Sequence, residues 1–325
     1  MKRFASSVCL AVAALLAASG AAAQDIKIRF AHSLSPSEPA GKAVEFFAKN
    51  VNERTKGRVQ ITVYPGAQLG PDKDINEMVR QGANVMNLTD PGYLSDFVPD
   101  VGVLNGPYLV QAPEDYEKIL ASDWYKGIDK KLADAGFRLV MANGFFGKRH
   151  TLADKPIRNP AEMAGVTMRV LPNQMWIETF KAMGARPTTV QWAEVYNALS
   201  QNVVQAAEAP LGSLWGSKLH ETRKVLSLTG HFTSFVMWPI NAKFFDKLPK
   251  DVQQVLLEEG HKAGKELTRL TMESHNEYIA KFKAAGVTVV EDVDTNAFRN
   301  ATSPVYKAFP KWTPGLRETV LANVK

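Results

Sequence analysis

Between Ile26 and Leu88 the chain alternates two periodicities, and this alternation restricts its fold more than any other feature. Ile26-Lys-Ile28-Arg-Phe30 alternates apolar and polar residues, the period of a half-buried strand. Pro39 to Lys56 sets Val44, Phe47 and Val51 on one helical face and stops at Gly57, a residue suited to a helix C-cap. Val59, Ile61 and Val63 alternate again up to Pro65-Gly66. Pro71 to Gln81 then carries Ile75, Met78 and Val79 at helical spacing, and Asn84 to Leu88 is a short apolar run. Strand–helix–strand–helix–strand is the pattern of a mostly parallel sheet covered by helices, an α/β fold.

A second series starts near Arg138. Arg138 to Ala142, Val166 to Leu171 and Val203 to Ala207 read as strands, Asn173 to Met183 and Trp192 to Gln201 as helices, and Ser234 to Ile240 as a return to a buried sheet. Two series in 325 residues fit two domains at about 150 residues each. Pro249 to Ala285 runs 37 residues without an internal proline, with Leu256, Leu267 and Phe282 near helical spacing. One helix of that length spans about 55 Å, enough to brace both domains, and Gly260 and Gly264 mark where it could kink. With no Gly/Ser-rich linker, structured segments make any crossing between domains.

The first residues form a secretory leader. Lys2 and Arg3 precede an apolar stretch from Val8 to Ala18, and Ala21-Ala22-Ala23 before Gln24 suits a small-residue cleavage site. Cys9, the only cysteine, lies inside it, so the mature chain has no disulfide, thiol or cysteine metal site. Removing residues 1–23 takes Lys2 and Arg3 and no acid, lowering the formal charge from +6 to +4. The densest basic cluster, Arg54, Lys56 and Arg58, has no interleaved aromatic, which is a solvated surface rather than a nucleic-acid footprint. With 45% hydrophobic and 22% charged residues, the chain is neither disordered nor a small disulfide scaffold.

Catalytic signatures are missing. No two glycines are separated by a single residue, so the dinucleotide fingerprint G-x-G-x-x-G cannot occur, and none of the four Gly-x-x-x-Gly segments centres on serine. His220-Glu221 begins like a zinc-protease motif, but Lys224 stands where the second histidine belongs. A secreted hydrolase or lyase whose carboxylates meet only on folding is the remaining enzymatic alternative.

Two basic segments carry chemistry. Gly144-Phe-Phe-Gly-Lys-Arg149-His begins where a strand should end, and Gly165-Val-Thr-Met-Arg169-Val-Leu-Pro sets an arginine opposite Val166, Met168 and Val170. A guanidinium keeps its proton, so Arg169 in an apolar strand needs an anionic partner, either a protein carboxylate or a ligand.

Pro187-Thr-Thr-Val-Gln-Trp192-Ala-Glu194-Val-Tyr196-Asn-Ala-Leu199, Val203 to Pro210, Lys218-Leu-His-Glu and Leu228-Thr-Gly-His231 carry a family resemblance. So do Asp154-Lys-Pro-Ile157 and Met163 to Val170. In this order and spacing the chain resembles the DctP-like solute-binding subunits of tripartite ATP-independent periplasmic (TRAP) transporters, over nearly the whole mature length. The resemblance implies a periplasmic, non-catalytic binding protein of two α/β domains, with a ligand cleft between them and a long helix bracing both. Its partners would be an organic acid and the TRAP permease subunits of the inner membrane, touched only peripherally. Domain I is expected at 24–146 plus about 235–274, domain II at 147–234 plus about 275–325.

By the same resemblance Arg169 holds the ligand carboxylate through paired N–H···O bonds, a geometry that suits a planar fork. Arg149 matches a second basic position and Trp192 an aromatic wall. Where many members have Glu-Asn-Pro, this chain has Glu208-Ala209-Pro210, so a usual hydrogen-bonding asparagine is replaced by Ala209. The Glu208 context is similar to a branch that binds oxo acids with a metal ion, but its Glu-Trp pair is incomplete here, and no metal or cofactor is expected. Asp90 after a strand, His32 at the end of another, Phe145 beside Phe146, and Trp215 complete the candidate pocket. Arg169 with this aromatic surface favours a monocarboxylate with an apolar or aromatic body. C4-dicarboxylates and sugar acids are the alternatives.

Overall fold

The computed structural model describes residues 26–324, so the expected leader lies outside the described residues. The first series folds as its periodicities require. Strand β1 (Ile26–Ala31) lies between β2 (Val59–Tyr64) and β3 (Val85–Asn87), parallel to both, with crossovers α1 (Pro39–Arg54) and α2 (Asp72–Arg80). Val44, Phe47 and Val51 of α1 are fully buried against Ile28, Phe30 and Val59. Helices α3 (Pro113–Ala121) and α4 (Asp123–Asp134) build a second core of the same lobe around Tyr116, Ile128 and Leu132.

The second series departs from expectation in one strand. β4 (Phe137–Ala153) is continuous over 17 residues, so Gly144 to His150 lies inside a strand instead of beyond its end. It runs antiparallel to β9 (Thr233–Asn241) through Lys148, then antiparallel to β7 (Ala207–Pro210) and β8 (Val225–Ser227). β4 thus belongs to both lobes. The two glycines make this possible: the ladder to β9 shifts register at Gly144 and between Phe145 and Gly147, and Gly147 has φ +126°. β9 meets Thr89 beside β3, and β5 (Thr167–Val170) meets Ala206 beside β7 while pairing parallel with β6 (Arg186–Thr189). Helix α5 (Gln174–Ala182) covers this second sheet, with Trp176 and Phe180 buried.

The proline-free stretch is two helices, α6 (Lys250–Glu273) and α7 (His275–Ala284), broken at Ser274 and not at a glycine. Ser274 Oγ donates to the Leu270 carbonyl at 2.7 Å, a side-chain bond that competes with the helical ladder. Gly260 and Gly264 remain helical and let α6 lie directly on β4. A Cβ at Gly260 would sit 2.2 Å from the Val140 carbonyl oxygen, and one at Gly264 2.2 Å from Asn143 Oδ1. α6 packs on β4 and α1, whereas α7 packs on residues 211–216 and on β10 (Thr288–Val290) of the second lobe. The C-terminal helix α8 (Leu316–Ala322), expected with the second domain, buries Leu316 and Val320 in the first lobe's core with Val101 and Leu104.

Candidate functional site

A cavity of about 60 Å³ lies between the lobes. On one side it meets the residues that follow β1 and β3, where open α/β sheets present groups to ligands. Ser33, Leu34, Asp72, Asp90 and Tyr93 form that wall, and Arg149, Arg169, Trp192, Ala209 and Ser213 face them from the second lobe. Bonds across the gap hold the lobes together. Asn173 Nδ2 donates to the Gly92 carbonyl at 2.7 Å, and Ser213 Oγ donates to Glu38 Oε2 at 2.6 Å.

The two arginines have different partners. Arg149 Nε donates to Glu208 Oε2 at 2.6 Å and Nη2 to Oε1 at 2.7 Å, a forked ion pair across the β4–β7 ladder. Both side chains are buried. Glu208 also accepts from Trp176 Nε1 at 3.0 Å and bonds His231 Nε2 at 3.0 Å. A carboxylate only accepts, so His231 carries its proton on Nε2, and Nδ1 accepts from Thr229 Oγ1 at 2.8 Å. Burial alone would raise the Glu208 carboxyl. The Arg149 charge and hydrogen bonds, joined by His231, hold it well below the ordinary carboxylate range. Arg149 keeps only Nη1 without a protein partner among the described residues.

Arg169 has no carboxylate partner among the described residues. It is 1% exposed; its Nε donates to the Val190 carbonyl at 2.9 Å, and its guanidinium lies 5.1 Å from the Trp192 ring centre. Nη1 is buried with no partner. Burial lowers this guanidinium to about 10, so it is still charged at neutral pH. Of the two partners its sequence left open, the protein supplies a carboxylate to Arg149 and none to Arg169. The cavity thus holds a buried guanidinium with no protein carboxylate, and one donor edge of each arginine has no protein acceptor among the described residues.

The opposite wall is acidic. Asp90 caps the short helix Pro91–Leu94, accepting from Gly92 N at 2.8 Å, and burial pushes its carboxyl up to about 7. Asp72, partly buried at the start of α2, accepts from Ser33 Oγ at 2.9 Å and is pushed up to about 6, chiefly by burial. Asp72, Ser33, Tyr93 and Ser213 are pocket residues that sequence reasoning missed. An acid in the first turn of a helix reads as a dipole partner, and a serine after a strand reads as a turn. Neither carries a local mark of its destination.

The other candidates separate. Trp192, Ala209 and Asp90 line the cavity, as does Phe146. Phe145 points into the first lobe's core against Phe235 and reaches only a larger cavity, about 440 Å³, which Ser274 and His275 at the α6–α7 break also line. Trp215 stacks on His220 at 4.1 Å and meets the edge of Phe282, outside the arginine cavity. His32 is buried at the end of β1 and does not line the cavity, although Ser33 and Leu34 beside it do. Glu208 spends its oxygens on Arg149, Trp176 and His231 and is not among the residues lining the cavity. Among the described residues no group of three His, Cys, Asp or Glu side chains comes together as a metal site.

The family model for bacterial extracellular solute-binding protein, family 7 (DctP), matches residues 30–311. The chain is 29% identical to the 2,3-diketo-L-gulonate-binding periplasmic protein of Escherichia coli strain K12, covering 93% of this chain and 92% of that protein. Its fold matches a TRAP solute-binding protein from Ochrobacterium anthropi with bound L-fuconate, with TM-score 0.90, 35% identity, and 93% and 100% of the two chains covered. It also matches one from Actinobacillus succinogenes with bound L-galactonate, with TM-score 0.89, 32% identity, and 92% and 99% covered. The chain belongs to the DctP family of TRAP solute-binding proteins, non-catalytic transport subunits that bind small organic acids and deliver them to membrane permease components.

Proposed function

We propose that this member of the family captures a hydroxylated monocarboxylate, a sugar acid of the aldonate type, in the periplasm and delivers it to a TRAP permease. The observation that carries the reading is the buried, unpartnered Nη1 of Arg169 facing Asp72 and Asp90 across one small cavity. The guanidinium takes the ligand carboxylate, with the free edge of Arg149 beside it. Asp72, Asp90 and the hydroxyls of Ser33, Ser213 and Tyr93 accept from or donate to ligand hydroxyls, which in a closed cleft cost about 1–3 kcal/mol each if left unpaired. The apolar body anticipated from the sequence loses support because Phe145 and Trp215 lie elsewhere; Trp192, Phe146, Leu34 and Leu88 still give apolar contact to a deoxy or methylene carbon. A second ligand carboxylate would lie against Asp72 and Asp90, which disfavours C4-dicarboxylates. The sugar acids bound by the fuconate and galactonate proteins support the same class.

Calorimetry of the mature chain with L-fuconate, L-galactonate, succinate, benzoate and a branched 2-oxo acid tests the reading. Tight binding of at least one aldonate, with succinate and benzoate weak or silent, is expected. Tight binding of succinate or benzoate with no aldonate response overturns it.

A further inference from the structure

Glu38 is a buried acid that the ligand site does not use. It sits at the N-cap position of α1, yet its carboxylate does not cap that helix. Oε1 accepts from Ser35 N at 3.0 Å, in its own loop, and Oε2 accepts from Ser213 Oγ at 2.6 Å, 175 residues away in the other lobe. Glu38 is 1% exposed and has no cationic partner among the described residues. Gly216 lies against it so closely that a Cβ there would meet Oε1 at 2.6 Å, and Tyr278 of α7 lines the same cavity as Glu38. Ser213 lines both the arginine cavity and the larger cavity of about 440 Å³, whereas Glu38 lines only the latter. The pair therefore stands in the wall between them, joining the entry of α1 to the segment that follows β7.

A buried acid stabilised by no cation depends on its hydrogen bonds, and one of the two comes from the opposite lobe. Opening the cleft between the lobes breaks that bond and exposes both groups to water. We propose that Glu38 and Ser213 form a latch across the lobes, in which Glu38, without touching ligand, positions Ser213 and holds the closed form. This rests on the reading of the chain as a binding protein that closes on its ligand.

The mature chain has no cysteine, so Glu117→Cys and Lys181→Cys, at exposed sites in the two lobes, give a clean label pair for distance measurement. The probe is L-fuconate, and the variants are Ser213→Ala, Glu38→Ala, both together, and Glu38→Gln. Each alanine variant should release the probe about 10-fold faster or more, as expected for loss of a hydrogen bond to a charged group, and shift the labels toward the open distance. The double variant should release it no faster than either single one. Glu38→Gln, which can still accept from Ser35 N and bond Ser213, should restore slow release. A Ser213→Ala loss of equal size with and without Glu38 would mean that Ser213 acts on the ligand alone, and overturns the latch. So would unchanged release and distances in both alanine variants. If the unsubstituted protein does not bind L-fuconate, the latch is judged on ligand-free distances. A closed population that Ser213→Ala removes then supports it, and identical distributions overturn it.

Discussion

Arg149 and Arg169 are both buried and both face the same cavity, but their removal should change stability in different ways. Burial lowers the Arg169 guanidinium to about 10. At about 1.4 kcal/mol per tenfold, the ligand-free fold carries that charge at a cost of about 3 kcal/mol. Arg169→Met keeps most of the apolar stem and abolishes this cost. It forfeits the bond to the Val190 carbonyl, about 1.5–3 kcal/mol for a charged donor, and the Trp192 contact, about 0.5–1 kcal/mol. These nearly cancel, so ligand-free Arg169→Met should unfold within about 1 kcal/mol of the unsubstituted protein. Arg149→Met strands Glu208, fully buried, without its only guanidinium, and should cost about 3–5 kcal/mol. Urea unfolding of both variants without ligand measures the difference. Calorimetry with L-fuconate should then show Arg169→Met losing about 2–5 kcal/mol of binding despite its intact fold. Equal destabilisation by the two substitutions, or near-normal binding by Arg169→Met, would refute the assignment of Arg169 as ligand anchor and Arg149 as a largely internal pair.

Arg169→Lys should also bind weakly, because an ammonium cannot reproduce the paired donors; affinity within a few-fold of the original in calorimetry would contradict this. The folded pKa values of Asp90 and Glu38, about 7, and Asp72, about 6, lie above their unfolded values, so each contributes stability that is lost as pH rises through 6 to 7. His150 and His32, lowered by burial to about 3 and about 4, oppose this only below pH 6.5. The ligand-free melting temperature should therefore rise as pH falls from about 8 to 6.5, with a smaller rise in Asp90→Asn; a flat profile over that range would count against buried acids at the cleft. Gly260→Ala should destabilise by about 1–3 kcal/mol because its Cβ meets the Val140 carbonyl, whereas Gly127→Ala, with open space around its Cβ, should stabilise by about 0.5–1 kcal/mol. Chemical denaturation of both variants checks the pair, and a shared sign would be the failing result. Small-angle scattering should show a smaller radius of gyration with saturating L-fuconate, and no change would argue against hinge closure.

Several levels of this protein can be read from the order of its residues alone. The alternation in Ile26 to Phe30 and Val59 to Val63 depends only on a strand's period of two, and β1 and β2 pair along those residues. The Arg169 segment is equally local: a charge among Met168 and Val170 demands a partner wherever that strand is buried. Tertiary structure decided who the partner is. Glu208 lies 59 residues from Arg149 and reaches it only because β4 and β7 pair in a register that puts Arg149 opposite Pro210 and Thr151 opposite Glu208. That register depends on packing over both lobes and leaves no local trace. The same holds for β4. Its glycines read as the end of a strand because glycine weakens strands locally, yet here they bend one strand through two lobes. Ser274 breaks the long helix where each half gains a different lobe to pack on, a choice that helix propensity, which disfavours Gly260 and Gly264 more strongly, does not contain. The acidic wall illustrates the limit most clearly. Asp90 is marked as a candidate by its place after a strand, but Asp72 is an ordinary helix-start residue by sequence, and it becomes a pocket group because β1, β2 and β3 end on the edge of the sheet that the second lobe closes over.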